Sequence, residues 1–199
     1  METSSHQSRH LGMVEASAWF REFQPLVPIN GDVLDVAAGG GRHVRFFADA
    51  GYRVTALDRN AEPLQPLQQS HGAEIIEADL EDGSPWPLGD RRFDAVIVCN
   101  YLHRPLFGSL IGALKPGGVL LYETFALGNE VYSRPRNPDH LLKSGELLEL
   151  VGAWLQVVAY RHGIVDGGEC PGVKQMLCAV NNLGLSARDD GEPAPLPLP

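Results

Sequence analysis

A doubly wound α/β domain is the fold this sequence predicts, with a mostly parallel seven-stranded sheet and an antiparallel terminal strand. Three observations predict it. Short apolar runs alternate with amphipathic stretches along most of the chain, the pattern of parallel strands joined by right-handed crossover helices. A glycine-rich turn, AAGGGR, follows the first apolar run. The last two apolar runs have no helical segment between them, so they read as an antiparallel pair.

Each element has its own reason. Residues 13–23 read as a helix, with Trp19, Phe20 and Phe23 on or near one face. Such a stripe packs into a core or covers a ligand as a lid. Gly31-Asp32 turns the chain into a first strand, 33–36. Residues 41–50 fit a helix, since Val44, Phe47 and Ala48 recur at helical spacing and Gly51 supplies the left-handed closing position. A second strand takes 52–57. Pro63 and Pro66 weaken or kink a helix over 61–70. Strands follow at 73–78 and 93–99. The latter, FDAVIVC, is almost wholly apolar, as burial on both faces requires. A helix over 105–114 leads to a strand over 118–124. Ser144 is placed to cap a helix running through Leu150, with Leu147, Leu148 and Val151 inward. Strands at 155–161 and 173–181 finish the fold.

Composition narrows the function. The chain has 199 residues, 44% hydrophobic and 21% charged, enough for one globular domain with a full core. A net charge of −9 repels phosphate backbones and disfavours a nucleic acid partner. No apolar run approaches the ~20 residues of a membrane span, and the polar first residues lack the apolar core of a signal peptide. Three cysteines, without a CxxC pair, indicate neither a disulfide framework nor a metal site. The expectation is a cytoplasmic protein with disordered ends at 1–12 and 184–199 and a ligand-binding domain over 13–183.

The glycine turn selects the ligand. A dinucleotide fold wants GxGxxG before its helix. Counted from Ala37, the third glycine position is Arg42; counted from Gly39, it is Val44. The pattern fails in both frames, and no GxxxxGK[ST] phosphate loop occurs. What remains is small residues at alternate positions, Ala37, Gly39 and Gly41, just after Asp35. They let a ligand lie against bare backbone. A carboxylate at the strand end repels a pyrophosphate and welcomes an ammonium, so the ligand is cationic at this end. Asp58 ends the second strand, where a carboxylate accepts from ribose hydroxyls. Asp79, in EADLEDG, follows the third, where it can accept from an exocyclic amine. All three face the carboxyl edge of the sheet, where open α/β folds bind ligands.

In that order and spacing, VLDVAAGGGR, VTALD, EADLEDG, FDAVIVCNYLH and LKPGGVLLYE resemble the five motifs of class I S-adenosylmethionine-dependent methyltransferases. The resemblance spans residues 19–181. Ala37 stands where that family has its first glycine. The GGGRH turn and small single domain are similar to the tellurite-resistance methyltransferases. The resemblance implies a Rossmann-like methyltransferase fold and S-adenosyl-L-methionine as cofactor. It implies a cofactor site of Asp35, Ala37, Gly39, Gly41, Asp58, Arg59, Asp79, Leu80, Cys99 and Asn100. It implies methyl transfer to a small-molecule acceptor. Methylation of a protein or RNA, and a non-catalytic sensor, remain as alternatives; an oxidoreductase survives only if the failed GxGxxG is tolerated.

The acceptor side is less specific. The rim CNYLHRP lacks the [DNS]PP[YF] signature of DNA and protein-amide methyltransferases. His103 is the candidate base, against a capping or packing role. The loop over 123–142 is long enough to be functional. It concentrates Tyr132, Arg134, Arg136, Asn137 and His140; the two arginines either grip an anionic acceptor or pair with Glu123, Glu130 or Asp139. Tyr122 and Glu123, at the strand end, are expected to face the pocket. No metal is expected.

Overall fold

The computed structural model describes residues 14–167, 170–185 and 188–199, so the disorder expected of residues 1–12 lies outside the described residues. Strands β1 (Asp32–Val36), β2 (Arg53–Asp58), β3 (Glu74–Glu77), β4 (Phe93–Cys99) and β5 (Leu114–Phe125) are parallel, in the spatial order β3-β2-β1-β4-β5. The terminal strand β7 (Gly172–Val180) is antiparallel, as expected. It inserts between β5 and β6 (Gln156–Val165), so β6 forms the edge.

Both faces of the sheet are covered because alternate residues of each strand point to opposite sides. Val33, Ala95, Ile97, Val119 and Leu121 meet helices α1 (Ala18–Phe23), α2 (Arg42–Asp49) and α3 (Pro66–His71). Leu34, Val36, Val96, Val98, Leu120 and Tyr122 meet α4 (Phe107–Gly112) and α5 (Glu146–Val151). Each fully buried aliphatic or aromatic side chain contributes about 1.5–3 kcal/mol. Against such a background, any charged group kept inside requires a partner.

Several local expectations are corrected. The first helix is Ala18–Phe23 only, because the Ser17 Oγ accepts from the Trp19 backbone N at 3.2 Å and starts it there. Trp19, Phe20 and Phe23 take the first of their two expected roles and pack into the core of one face. Pro63 and Pro66 divide the predicted 61–70 helix into a 3-10 turn, Glu62–Leu64, and α3. Pro105 similarly leaves a 3-10 turn, Arg104–Leu106, before α4. Ser144 does not cap α5; Gly145 does, in a left-handed conformation with φ 76°. Leu148 faces outward, while Leu147 and Val151 are buried. Residues 188–199 form neither helix nor strand, yet Leu196 packs against the α1–α3 core.

Candidate active site

The glycine turn is where the sequence bends hardest. Ala37, Gly39 and Gly41 take positive φ of 55°, 56° and 73°. A Cβ on Gly41 would lie 2.4 Å from Leu67 Cδ1, so this glycine lets α2 settle on α3 and does not touch the cavity. A Cβ on Gly39 would meet nothing within 4 Å, because open space lies above it. The Asp58 Oδ2 accepts from the Gly39 backbone N at 2.8 Å, while its Oδ1 accepts from Asn60 N at 2.9 Å. The turn after β1 is thereby tied to the end of β2.

Above the turn lies a cavity of about 650 Å³ at the carboxyl ends of the strands, a volume suited to a cofactor-sized ligand. Of the expected cofactor residues, Ala37, Gly39, Asp58, Arg59, Asp79, Leu80, Cys99 and Asn100 line it. Asp79 Oδ1 accepts from Glu81 N at 2.9 Å. Asp35 lies beneath the turn and does not line the cavity. It is buried, and its Oδ2 has no hydrogen-bond partner among the described residues. Burial pushes its carboxyl up to about 8, although the Arg42 charge pulls the other way.

On the acceptor side, Arg134 lines the cavity, with Pro135 and His140 from the same loop. Among the described residues Arg134 and Arg136 form no ion pair, so the expected alternative partners Glu123, Glu130 and Asp139 are not engaged. Tyr132 and Arg136 are exposed and lie away from the cavity lining. Two groups hold the loop. The buried Asn129 donates from Nδ2 to Pro135 O at 3.1 Å. Arg104 donates to Glu146 on α5 and to the carbonyls of Asp139 and Leu141.

Three expectations fail here. Tyr122 is buried in the opposite core, where its ring stacks on Phe107 and its hydroxyl donates to Tyr101 O at 2.8 Å. Glu123 is also buried and does not line the cavity; it pairs with Lys174 at 2.5 Å and accepts from Ser17 Oγ. His103 is only partly buried, stands before the Arg104–Leu106 turn without a capping bond, and does not line the cavity.

Sequence reasoning missed Arg42 and His43, both of which line the cavity. Arg42 donates to Cys99 Sγ at 3.2 Å and to Glu15 O at 3.0 Å. Burial drives the Cys99 thiol up to about 12, so it is a neutral wall rather than a nucleophile. His43 Nε2 accepts from Ser17 N at 3.2 Å, and burial holds its pKa well below the ordinary histidine value. The signal available for Arg42 was its place directly after the glycines, at the first helical position. The described residues contain no metal-holding cluster, and no helix of theirs is long and apolar enough to cross a membrane.

Comparison with known proteins adds to this geometry. A family model described as a methyltransferase domain matches residues 33–118. The chain is 38% identical over 173 residues to a malonyl-acyl-carrier-protein O-methyltransferase of Pectobacterium atrosepticum, covering 80% of this chain and 66% of that protein. Across the first curated relatives it matches, the chain spans between about half and two thirds of their length. TehB from Haemophilus influenzae superposes with a TM-score of 0.65 over 82% of this chain and 61% of that one, at 15% identity. A 1,6-didemethyltoxoflavin-N1-methyltransferase of Burkholderia thailandensis, crystallised with S-adenosylhomocysteine, gives a TM-score of 0.60 at 22% identity, covering 83% and 76%. At those identities the two structures share the fold with this chain. The narrower likeness to tellurite-resistance enzymes therefore extends to the fold alone.

Proposed function

The chain belongs to the class I S-adenosylmethionine-dependent methyltransferase superfamily, and from that premise we propose that it methylates a carboxylate oxygen of a small-molecule acceptor. When bound, S-adenosylmethionine supplies a methyl carbon that is already electrophilic. The protein's task is then to align the acceptor and exclude water.

The residues fit that cofactor. Asp58 lines the cavity with lone pairs to spare for ribose hydroxyls, and Asp79, on the same wall, offers an acceptor to an adenine amine. Asp35 has a buried acceptor oxygen without a partner, which an ammonium group would satisfy. Ala37 and Gly39 offer backbone for close approach, with Arg59, Leu80, Cys99 and Asn100 completing the wall.

The observation that carries the acceptor class is Arg134, an arginine on the cavity wall with no ion pair among the described residues. A guanidinium matches a carboxylate in a two-point fork. The available bases support the same reading. His43 is held unprotonated with Nε2 already accepting, and His103 is off the cavity. An ionised carboxylate oxygen is its own nucleophile and releases no proton on methylation, so it needs no general base. The acid can be free or tethered to a carrier protein. The tethered form is favoured by exposed Val131 and Tyr132 beside Arg134 and Arg136; a malonyl group, after which some of the relatives are named, ends in a carboxylate.

The test offers the protein methyl-labelled S-adenosylmethionine with free acids, carrier-bound acids, phenols and amines. Products are read by mass, with mild alkali to release methanol from methyl esters. Label in alkali-labile esters is expected. Arg134→Met is expected to raise KM for the acid about tenfold or more, with the affinity for S-adenosylhomocysteine unchanged. Label confined to phenols or amines would sink the carboxylate reading.

A further inference from the structure

The least expected group near the cavity is Lys174. It lies on β7 in the run GVKQMLCAV and is 2% exposed, between Val173 and Gln175 in the strand. The insertion of β7 beside β5 puts it there. Lys174 is registered opposite Phe125, two places from the partner of Glu123, so Glu123 and Lys174 are diagonal neighbours on one face. The ammonium donates to Glu123 Oε1 at 2.5 Å and lies 5.1 Å from the Phe125 ring centroid. Burial opposes its charge, but the Glu123 carboxylate paired with it more than offsets that, and the amine stays protonated.

Its remaining contact reaches the cavity. Lys174 Nζ donates to Asn100 Oδ1 at 3.2 Å, and Asn100 is a wall residue. An ammonium has donors only, so the amide must turn its oxygen toward Lys174. Its nitrogen is left for other partners. The present partner of Nδ2 is Cys170 Sγ at 3.7 Å, a weak acceptor. Asn100 itself is locked in place: its backbone N donates to Glu123 O at 2.7 Å, and its φ of 57° closes β4 in a left-handed turn that asparagine tolerates. A chain of contacts therefore runs Ser17, Glu123, Lys174, Asn100, from α1 to the cavity wall.

We propose that Lys174 is a positioning residue: it fixes the Asn100 side-chain amide so that its N–H group faces the carboxylate of the cofactor's methionine end. Asp35 would take the ammonium of that same end, so the zwitterion meets an acceptor from β1 and a donor from the end of β4, two paired strands. The inference rests on the cofactor reading above and deepens it.

Calorimetric titration separates the two. The probes are S-adenosylhomocysteine and its decarboxylated analogue, which keeps the ammonium and lacks the carboxylate. The unaltered protein should prefer the former about tenfold or more. Lys174→Met alone would strand Glu123 and can unfold the chain, so the informative variant pairs Lys174→Met with Glu123→Gln. In that variant the preference should fall to about twofold or less, with affinity for the decarboxylated analogue unchanged. Asn100→Asp should reverse the preference, because a second carboxylate repels the first. A merely structural role for Lys174 would weaken both ligands alike. Preference retained in the folded double variant, as when Arg42 alone holds the carboxylate, overturns the proposal. Equal binding of both probes by the unaltered protein overturns it as well, leaving the cofactor reading intact. Failure of either probe to bind overturns both.

Discussion

The two halves of the cavity are made by different means. The half above β1, β2 and β3 is walled by Asp58 and Asp79 at two successive strand ends, with Asp35 buried beneath the glycine turn at a third. The other half is walled by Asn100, just after β4, and Arg134 from a loop, with Asn100 held from behind by Lys174 on a strand that returns antiparallel, 51 residues from the Glu123 it pairs with. The first half is local chemistry repeated at strand spacing. The second exists only once β7 has inserted beside β5. A site of the first kind is written in motif order; a site of the second kind is written in sheet topology.

The largest expected effect breaks the first half at its most buried point. Asp35 titrates near 8 in the folded chain and near 3.8 when unfolded. Below pH 3.8 both states hold the proton, and the residue costs nothing. As pH rises from about 4 to 8 the unfolded state loses its proton first, so stability falls by up to about 1.4 kcal/mol per pH unit, then levels off. Asp35→Asn removes this cost. Its melting temperature should therefore pull ahead of the unaltered protein as pH rises through that window, while its affinity for S-adenosylmethionine drops. A more stable variant that binds as tightly as before would remove Asp35 from the cofactor site. Parallel melting curves across the window would mean the carboxyl is not desolvated.

A smaller effect sharpens the comparison between halves. Asp58→Ala deletes the acceptor of the Gly39 N–H and one wall carboxylate together. Affinity for S-adenosylhomocysteine should weaken by roughly 1–3 kcal/mol, the usual cost of stranding hydrogen-bonded groups. KM for the acceptor, measured at saturating cofactor, should stay within about twofold. A comparable rise in both constants would show that the two halves act as one unit.

The same division explains what could be read from the sequence. The alternation of strands and helices, the glycine turn and the wall positions of Asp58 and Asp79 were legible because each depends on residues close in the chain; Asp35, read the same way, lies beneath the turn. Tyr122 and Glu123 were both expected to face the cavity, yet consecutive residues on a strand point to opposite faces. Period-two reasoning alone excludes that pair; it does not exclude Glu123, whose charge is instead neutralised by a lysine from another strand. Lys174 did leave a trace, a lone charge inside an apolar strand run, but its partner could not be named before β7 was placed. Ser144 lost to Gly145 as the cap of α5 because the left-handed entry requires a residue without a Cβ penalty.

The smallest expected effect concerns His103. Its residue type and its position after β4 recommended it as a base, since imidazole titrates near neutral pH. The structure gives it neither a place on the cavity wall nor a capping bond. Its backbone carbonyl, which accepts from Leu106 N at 3.1 Å, survives any side-chain change. His103→Gln should therefore leave kcat within about twofold and stability within about 0.5 kcal/mol, as at other surface positions without a special contact. The discriminating measurement is the pH profile of kcat. A carboxylate acceptor predicts the same profile in both proteins. Loss of a limb near neutrality in the variant, with a fall in kcat of a hundredfold or more, would show that the acceptor arrives protonated and that His103 removes the proton. The carboxylate reading and the independence of the two halves would then fall together, since a residue outside the apo cavity would have entered it on binding.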